Sequence, residues 1–376
     1  MKGLKNVKAF VDGKFVITDI AFNDGVITEI SSNLPIDEPI EIFGTVYPGF
    51  IDEHIHGVNN ADSNDGNYNA IDVMSKSLVN EGTTAFMVTT CTDTNERITA
   101  TCLSVSDYIK NHKGGADVLG IHLEGPFINP LKKGAQLESC IIAPNKDIVD
   151  GWIKASNNTV KLITVAPEID GMSDFVSYLK SKGITVSAGH TSATFEQLKK
   201  GVDSGISCTT HTYNAMTGVH HREIGVAGGS MLLDVYNEII ADGIHVSFDA
   251  IKLLATLKAD KLILITDAMR AKMLPDGVYD LAGQVTIVKN GEVRLKDGTL
   301  AGSVLKMNDA VKNMVKKVGL PIETVIKAVT ENPAKNLNVF NKYGTISVGK
   351  RANFTVLDDS LNLTSTIVGG EIAYKS

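Results

Sequence analysis

The chain has 376 residues, 43 % apolar and 21 % charged, which is enough to bury a large core and excludes an intrinsically disordered protein. A net charge of −7 without any basic run excludes a nucleic-acid backbone as partner, although single Arg or Lys residues remain free to bind one small anion. Cys91, Cys102, Cys140 and Cys208 form no CxxC or CxxH pair, as expected of small apolar fillers in a reducing compartment.

The first residues, Met-Lys-Gly-Leu-Lys-Asn-Val, lack the apolar stretch of a secretory signal. No run approaches the roughly 18 apolar residues of a membrane span. The expectation is a soluble, cytoplasmic protein with no membrane partner.

Residues 1–47 alternate in short runs broken by Asp12-Gly13 and Asn23-Asp24-Gly25, which are hairpin turn signals. Residues 344–376 have the same texture. Neither piece can make a core alone, so the two ends are expected to pair into one small β-sandwich domain around an inserted middle, 48–343.

In that middle, apolar runs recur at 49–54, 84–89, 118–123, 161–166, 184–188, 206–210, 238–241 and 262–266. Segments of helical spacing such as "YNAIDVMSKSLVNEG" and "MSDFVSYLKSKG" lie between many of them. Eight buried strands separated by helices describe an α/β fold, the (β/α)₈ TIM barrel. A hairpin-like piece (278–295) and helices near 304–318 and 321–330 follow.

Most of these strands run into a metal ligand or proton carrier. "PGFIDEHIHG" gives His54 and His56, "GIHLEGP" gives Glu124, "VSAGHT" gives His190 and "CTTHTYNAM" gives His211. "ADGIH" gives Asp242 and His245, and "LITDAM" gives Asp267. A parallel barrel gathers its strand C-termini on one face, so these residues should converge there. Imidazoles with a carboxylate suit a divalent ion such as Zn²⁺ or Fe²⁺.

Taken singly, each residue has a plainer reading. An HxH pair can be structural, His122 fits a hydrogen-bonded core histidine, and His112 fits a solvated one. Cys91 and Cys208 read as packing, and Asp62 and Asp65 as turn formers. The joint pattern at strand ends favours a metal site.

These segments resemble the amidohydrolase superfamily, and within it the N-acetylglucosamine-6-phosphate deacetylases. "PGFIDEHIHG", "HLEGPFINPLKKGAQ", "GHTSAT", "THTYNAM", "ADGIH", "TDAM" and "LAGS" occur in the family's order across nearly the whole chain. The HxH and the strand-8 Asp are superfamily-wide, whereas "HLEGPF…KKGA" and "THxxNAM" are more specific.

The resemblance implies metal ligation by Glu124, His190 and His211, with a second site from His54 and His56 sharing Glu124. One or two divalent ions per subunit remain open, zinc or iron first and manganese or cobalt as alternatives. It implies Asp267 as the general base that takes a proton from water and returns it to the leaving amine.

It also implies substrate contacts at Ala135, Gln136, Asn214, Ala215, Arg222, Asp242, Gly243, Ile244, His245, Leu300, Ala301 and Gly302. The substrate is then a small sugar phosphate, N-acetyl-D-glucosamine 6-phosphate. Arg222 in "HHREIG" suits the phosphate, supplied across a homodimer. Several relatives have His where this chain has Gln136, so a neutral amide stands where a cation is possible. Alternatives are hydrolysis of a cyclic amide or ring amine and, in another class, a catalytically silent barrel scaffold.

Overall fold

A computed structural model describes residues 1–112 and 114–376. Eight parallel strands form the central sheet: β1 (Phe50–Ile55), β2 (Thr83–Thr90), β3 (Asp117–Glu124), β4 (Val160–Val165), β5 (Thr185–Ala188), β6 (Ile206–Thr209), β7 (Tyr236–Ile240) and β8 (Leu262–Ile265). They neighbour one another in chain order, so each apolar run read from the sequence is a barrel strand. The seam between β8 and β1 closes without a regular ladder. Asp267 N donates to His54 O at 2.9 Å, and the buried Asp52 carboxylate accepts the Thr266 hydroxyl at 2.5 Å and its N–H at 3.3 Å.

The helices wrap the strands because each carries an apolar stripe. In the helix Met172–Ser181 the buried residues are Met172, Phe175, Val176 and Leu179, three and four apart, and they face the barrel. Each such side chain contributes about 1.5–3 kcal/mol on burial. Helix starts are set by side-chain caps: Thr194 and Gln197 form a reciprocal capping box at Phe195–Ser204, and Asn145 caps Lys146–Ala155. Among the described residues no helix is long and apolar enough to cross a membrane.

The two chain ends pair as expected. Strand Thr45–Pro48 lies between Lys2–Val11 on one side and Phe354–Leu357 on the other, inside one eight-stranded sheet that also holds Leu363–Val368 and Glu371–Lys375. This sheet is fastened to the N-terminal side of the barrel. Arg351 grips Asp117, the first residue of β3, through two bonds of 3.1 and 3.2 Å. Thr355 Oγ1 donates to Gly82 O at 2.6 Å, just before β2.

The segment after β8 folds into three antiparallel strands, Gly277–Leu281, Gln284–Lys289 and Glu292–Leu295. Helices Met307–Asn313, continued by a π-turn to Val318, Ile322–Val329 and Glu331–Asn336 follow.

Candidate active site

The C-terminal ends of the strands bring the expected residues together. Glu124 ends β3, while His190, His211 and Asp267 each lie two residues beyond β5, β6 and β8. The last three have φ values of +46°, +30° and +47°, in the left-handed region, so the chain bears backbone strain where its chemistry is concentrated. Around Asp267 the strain is held by the segment Ala301–Ser303. Ser303 N donates to Asp267 O at 2.8 Å. Gly302, at φ +68°, has room for this approach because a Cβ there would lie 3.1 Å from that oxygen.

Glu124 is the hub. Its Oε1 lies 3.0 Å from His190 Nε2 and 2.9 Å from His211 Nε2, and its Oε2 lies 3.2 Å from His56 Nε2. His54 Nε2 is 3.5 Å from both Glu124 Oε1 and Asp267 Oδ1. Asp267 Oδ1 is also 3.1 Å from His56 Nε2. Glu124–His190–His211 and His54–His56–Asp267 are therefore two adjoining buried groups, each able to hold a cation.

The outer nitrogens of three of these rings fix which nitrogen faces the centre. His190 Nδ1 is 2.9 Å from Lys132 O and His56 Nδ1 is 3.1 Å from Thr89 O. His54 Nδ1 is 3.0 Å from the Glu238 carboxylate. A carbonyl or carboxylate at Nδ1 takes up the proton there, so Nε2 is the ring atom each of these three can offer to a cation. The Nε2 atoms of His190 and His211 then meet at 3.1 Å, and His54 Nε2 is buried without a hydrogen-bond partner. Imidazole nitrogens converging on a buried carboxylate, one of them without a hydrogen-bond partner, fit a divalent cation.

In the site, burial and the neighbouring charges pull against each other. Burial opposes ionisation of Glu124, but His54 and the bonds from His190 and His211 outweigh it and hold the carboxyl well below the usual range. Asp267 is likewise opposed by burial and lowered by His54 and His56. Burial also works against charge on His54, and the surrounding Glu124, Asp267 and Glu238 overcome it and raise its pKa. His122 behaves differently: burial and the neighbouring His54 push it well down. Its Nε2 bonds to Thr164 Oγ1 at 2.8 Å, so it is the hydrogen-bonded core histidine expected.

A cavity of about 300 Å³ opens over these groups. Ala135, Gln136, Asn214, Ala215, His245, Leu300 and Gly302 line it, together with His56, Glu124, His190, His211 and Asp267. Asp242, Gly243, Ile244 and Ala301 are not among the lining residues. Asp242 Oδ1 accepts from Ile244 N and His245 N at 2.8 and 2.9 Å, and its Oδ2 is 2.7 Å from His245 Nδ1. Burial disfavours a charged His245, but this bond outweighs it and raises the pKa. Arg222 does not reach the cavity of its own chain; it is exposed, with Nη1 2.7 Å from His221 Nε2.

Three features were not anticipated. Gln136 turns its amide inward, with Nε2 donating to Glu124 Oε2 and Oε1 accepting from Thr92 N, both at 2.6 Å. Cys91, read as packing, lines the cavity with Sγ 3.4 Å from His56 Nδ1. Lys132, Leu281 and Thr299 also line it, the last two brought in by the three-stranded sheet after β8. The only signal for Lys132 was its place in "PLKKGAQ".

Comparison with known proteins agrees with this geometry. The amidohydrolase family matches residues 45–373. The N-acetylglucosamine-6-phosphate deacetylase of Bacillus subtilis is 38 % identical over 95 % of this chain and 93 % of its own length. The N-acetylgalactosamine-6-phosphate deacetylase of Escherichia coli O157:H7 is 33 % identical over 93 % of both chains. The crystal structure of the Thermotoga maritima N-acetylglucosamine-6-phosphate deacetylase superposes with a TM-score of 0.90 at 36 % identity, covering 100 % of both chains. The chain belongs to the amidohydrolase family, in its group of N-acetylglucosamine-6-phosphate deacetylases.

Proposed function

We propose that the chain hydrolyses the acetamido group of N-acetyl-D-glucosamine 6-phosphate to D-glucosamine 6-phosphate and acetate. The observation that carries this reading is the meeting of Glu124, His190 and His211 beside His54, His56 and Asp267 at the floor of one cavity. The names of the relatives supply the substrate.

Glu124, His190 and His211 would hold one divalent ion, and His54 and His56 a second that shares Glu124. Zinc and iron suit this donor set first, then manganese and cobalt. A bound ion supplies Lewis acidity, lowering the pKa of water and polarising a carbonyl.

Asp267 accepts a proton from the attacking water as the new C–O bond forms. When the C–N bond breaks, it returns that proton to the leaving nitrogen, so acetate and a free amine result. Asn214, Ala215 and His245 on the cavity wall would orient the sugar, while Arg222 from a second copy in a homodimer would take the phosphate. The same reading divides the chain into a small β unit, residues 1–47 with 344–376, and a catalytic barrel over 48–343.

The test is acetate release from N-acetylglucosamine 6-phosphate by purified protein, with bound metal counted on the same sample and a chelated control. Chelator-sensitive release establishes the reaction, and the count chooses between one ion and two. The Escherichia coli relative favours including the galactose epimer as a second substrate. No acetate from either sugar with metal bound, and turnover of a cyclic amide instead, would overturn the substrate.

A further inference from the structure

The acid that faces the metal ligands from behind is Glu238, the third residue of β7 (Tyr236–Ile240). It is fully buried and is not among the residues lining the cavity, so its side chain is spent inside the barrel. One oxygen, Oε2, serves two partners. It lies 3.0 Å from His54 Nδ1 and accepts from His211 N at 3.1 Å. The main chain repeats the grip, with Thr212 N donating to Glu238 O at 2.8 Å.

We propose that Glu238 is a positioning residue for the metal centre, fixing the His54 imidazole and the His211 main chain through a single carboxylate oxygen. Two consequences follow from its contacts. With Nδ1–H committed to Glu238, Nε2 is the atom His54 has to offer a cation, and it is otherwise a buried nitrogen without a hydrogen-bond partner. His211 sits at φ +30°, a conformation that a non-glycine residue keeps only when its surroundings enforce it, and the bond to its N–H is such an enforcement. One side chain thereby couples a ligand of one candidate metal site to a ligand of the other. This inference rests on the reading that these imidazoles hold metal.

The second oxygen, Oε1, has no hydrogen-bond partner and lies in a buried group with Glu53 and Cys208. That arrangement supplies a discriminating pair of variants. In Glu238→Gln an acceptor oxygen can stay in the Oε2 place while the amide nitrogen donates toward Glu53. Glu238→Leu keeps the bulk and removes the acceptor.

The experiment uses full-length protein labelled with ¹⁵N-histidine, followed by long-range proton–nitrogen spectra without metal and after addition of zinc. The His54 signals are identified by their loss in His54→Asn. Zinc affinity and stoichiometry are measured on the same samples, and thermal melts report folding. In the wild type His54 is expected to carry a proton at Nδ1 in both states and none at Nε2 once zinc is bound, and Glu238→Gln should keep that Nδ1 proton and keep zinc affinity within a few-fold. Glu238→Leu should bind zinc at the His54 site roughly 10- to 100-fold more weakly.

A His54 ring without a proton at Nδ1 in the wild type overturns the proposal. So does a folded Glu238→Leu protein with wild-type affinity at every site. If the leucine variant does not fold, the Nδ1 proton in the wild type and in Glu238→Gln decides. A wild type that takes one zinc and leaves the His54 signals unmoved removes the two-ion reading, and the Nδ1 proton still decides the role of Glu238.

Discussion

Asp267 combines a lowered pKa with direct contact to both imidazoles of the HxH pair, since its Oδ1 lies 3.1 Å from His56 Nε2 and 3.5 Å from His54 Nε2. Such a carboxylate is ionised and ready to take a proton. Asparagine has the same shape and one acceptor oxygen, but no basic site. Asp267→Asn should lower kcat by roughly 10²- to 10⁴-fold, the usual worth of general acid–base catalysis. The ion expected at Glu124, His190 and His211 should stay bound. Near-normal turnover in a metal-replete variant would remove the general base from Asp267.

Gln136 makes a different kind of prediction. Its amide N–H is committed to Glu124 Oε2 and its oxygen to Thr92 N, so it steadies the shared carboxylate. Gln136→Ala should weaken metal binding about 10-fold, as loss of an outer hydrogen bond to a ligand does. A variant with wild-type metal affinity and only slowed turnover would return Gln136 to a pure substrate contact. The candidate ligands were legible because each lies at the end of an apolar run. Gln136 and Glu238 were not, since nothing in "KKGAQ" or "YNEII" says which way a side chain turns. The available clue was an acid inside a buried strand, which must find a partner.

At the scale of elements, the alternation of apolar runs with helical stripes made the barrel legible, and turn dipeptides did the same for the terminal strands. The seam was not legible. β1 and β8 are far apart in sequence, and their junction depends on Asp52 gripping Thr266, a contact without a local pattern. Asp19 plays a comparable part in the terminal sheet. It is buried, its Oδ1 accepting from Asn6 N at 2.6 Å and its Oδ2 from Leu34 N at 2.8 Å.

The Asn6 N–H, working with that of Leu34 against burial, holds the Asp19 carboxyl below its usual range. A lowered folded-state pKa stabilises the fold above the ordinary carboxylate pKa, and that gain is lost as pH falls through the folded value. Asp19→Asn should therefore cost about 1–3 kcal/mol near neutral pH. The gap in Tm between wild type and variant should narrow below about pH 4. Thermal melts across that range check it, and a gap independent of pH would mean that the charge contributes nothing.

For the whole molecule, the open question is how a cavity that Arg222 does not reach would recognise a phosphate. Arg222 is exposed and leans on His221, outside the lining of its own chain's cavity. In a twofold dimer the same loop of one copy can face the cavity of the other. Arg222→Ala should then raise KM for the phosphorylated sugar far more than for the unphosphorylated one, because only the former needs the guanidinium fork. Equal changes for both would take the phosphate away from Arg222.

The stronger test of a shared site mixes two impaired proteins, assayed at a substrate concentration far below the raised KM of Arg222→Ala. Asp267→Asn subunits lack the base but carry Arg222; Arg222→Ala subunits carry the base but lack the cation. In a mixed dimer, the cavity with an intact Asp267 faces an intact Arg222 from its neighbour, while the other cavity lacks both. After subunits exchange at equal concentrations, half of the dimers are mixed and each has one working cavity, so about a quarter of wild-type activity should return. If Arg222 served its own chain, the working pair would never assemble, and the mixture would show only the average of its two parents.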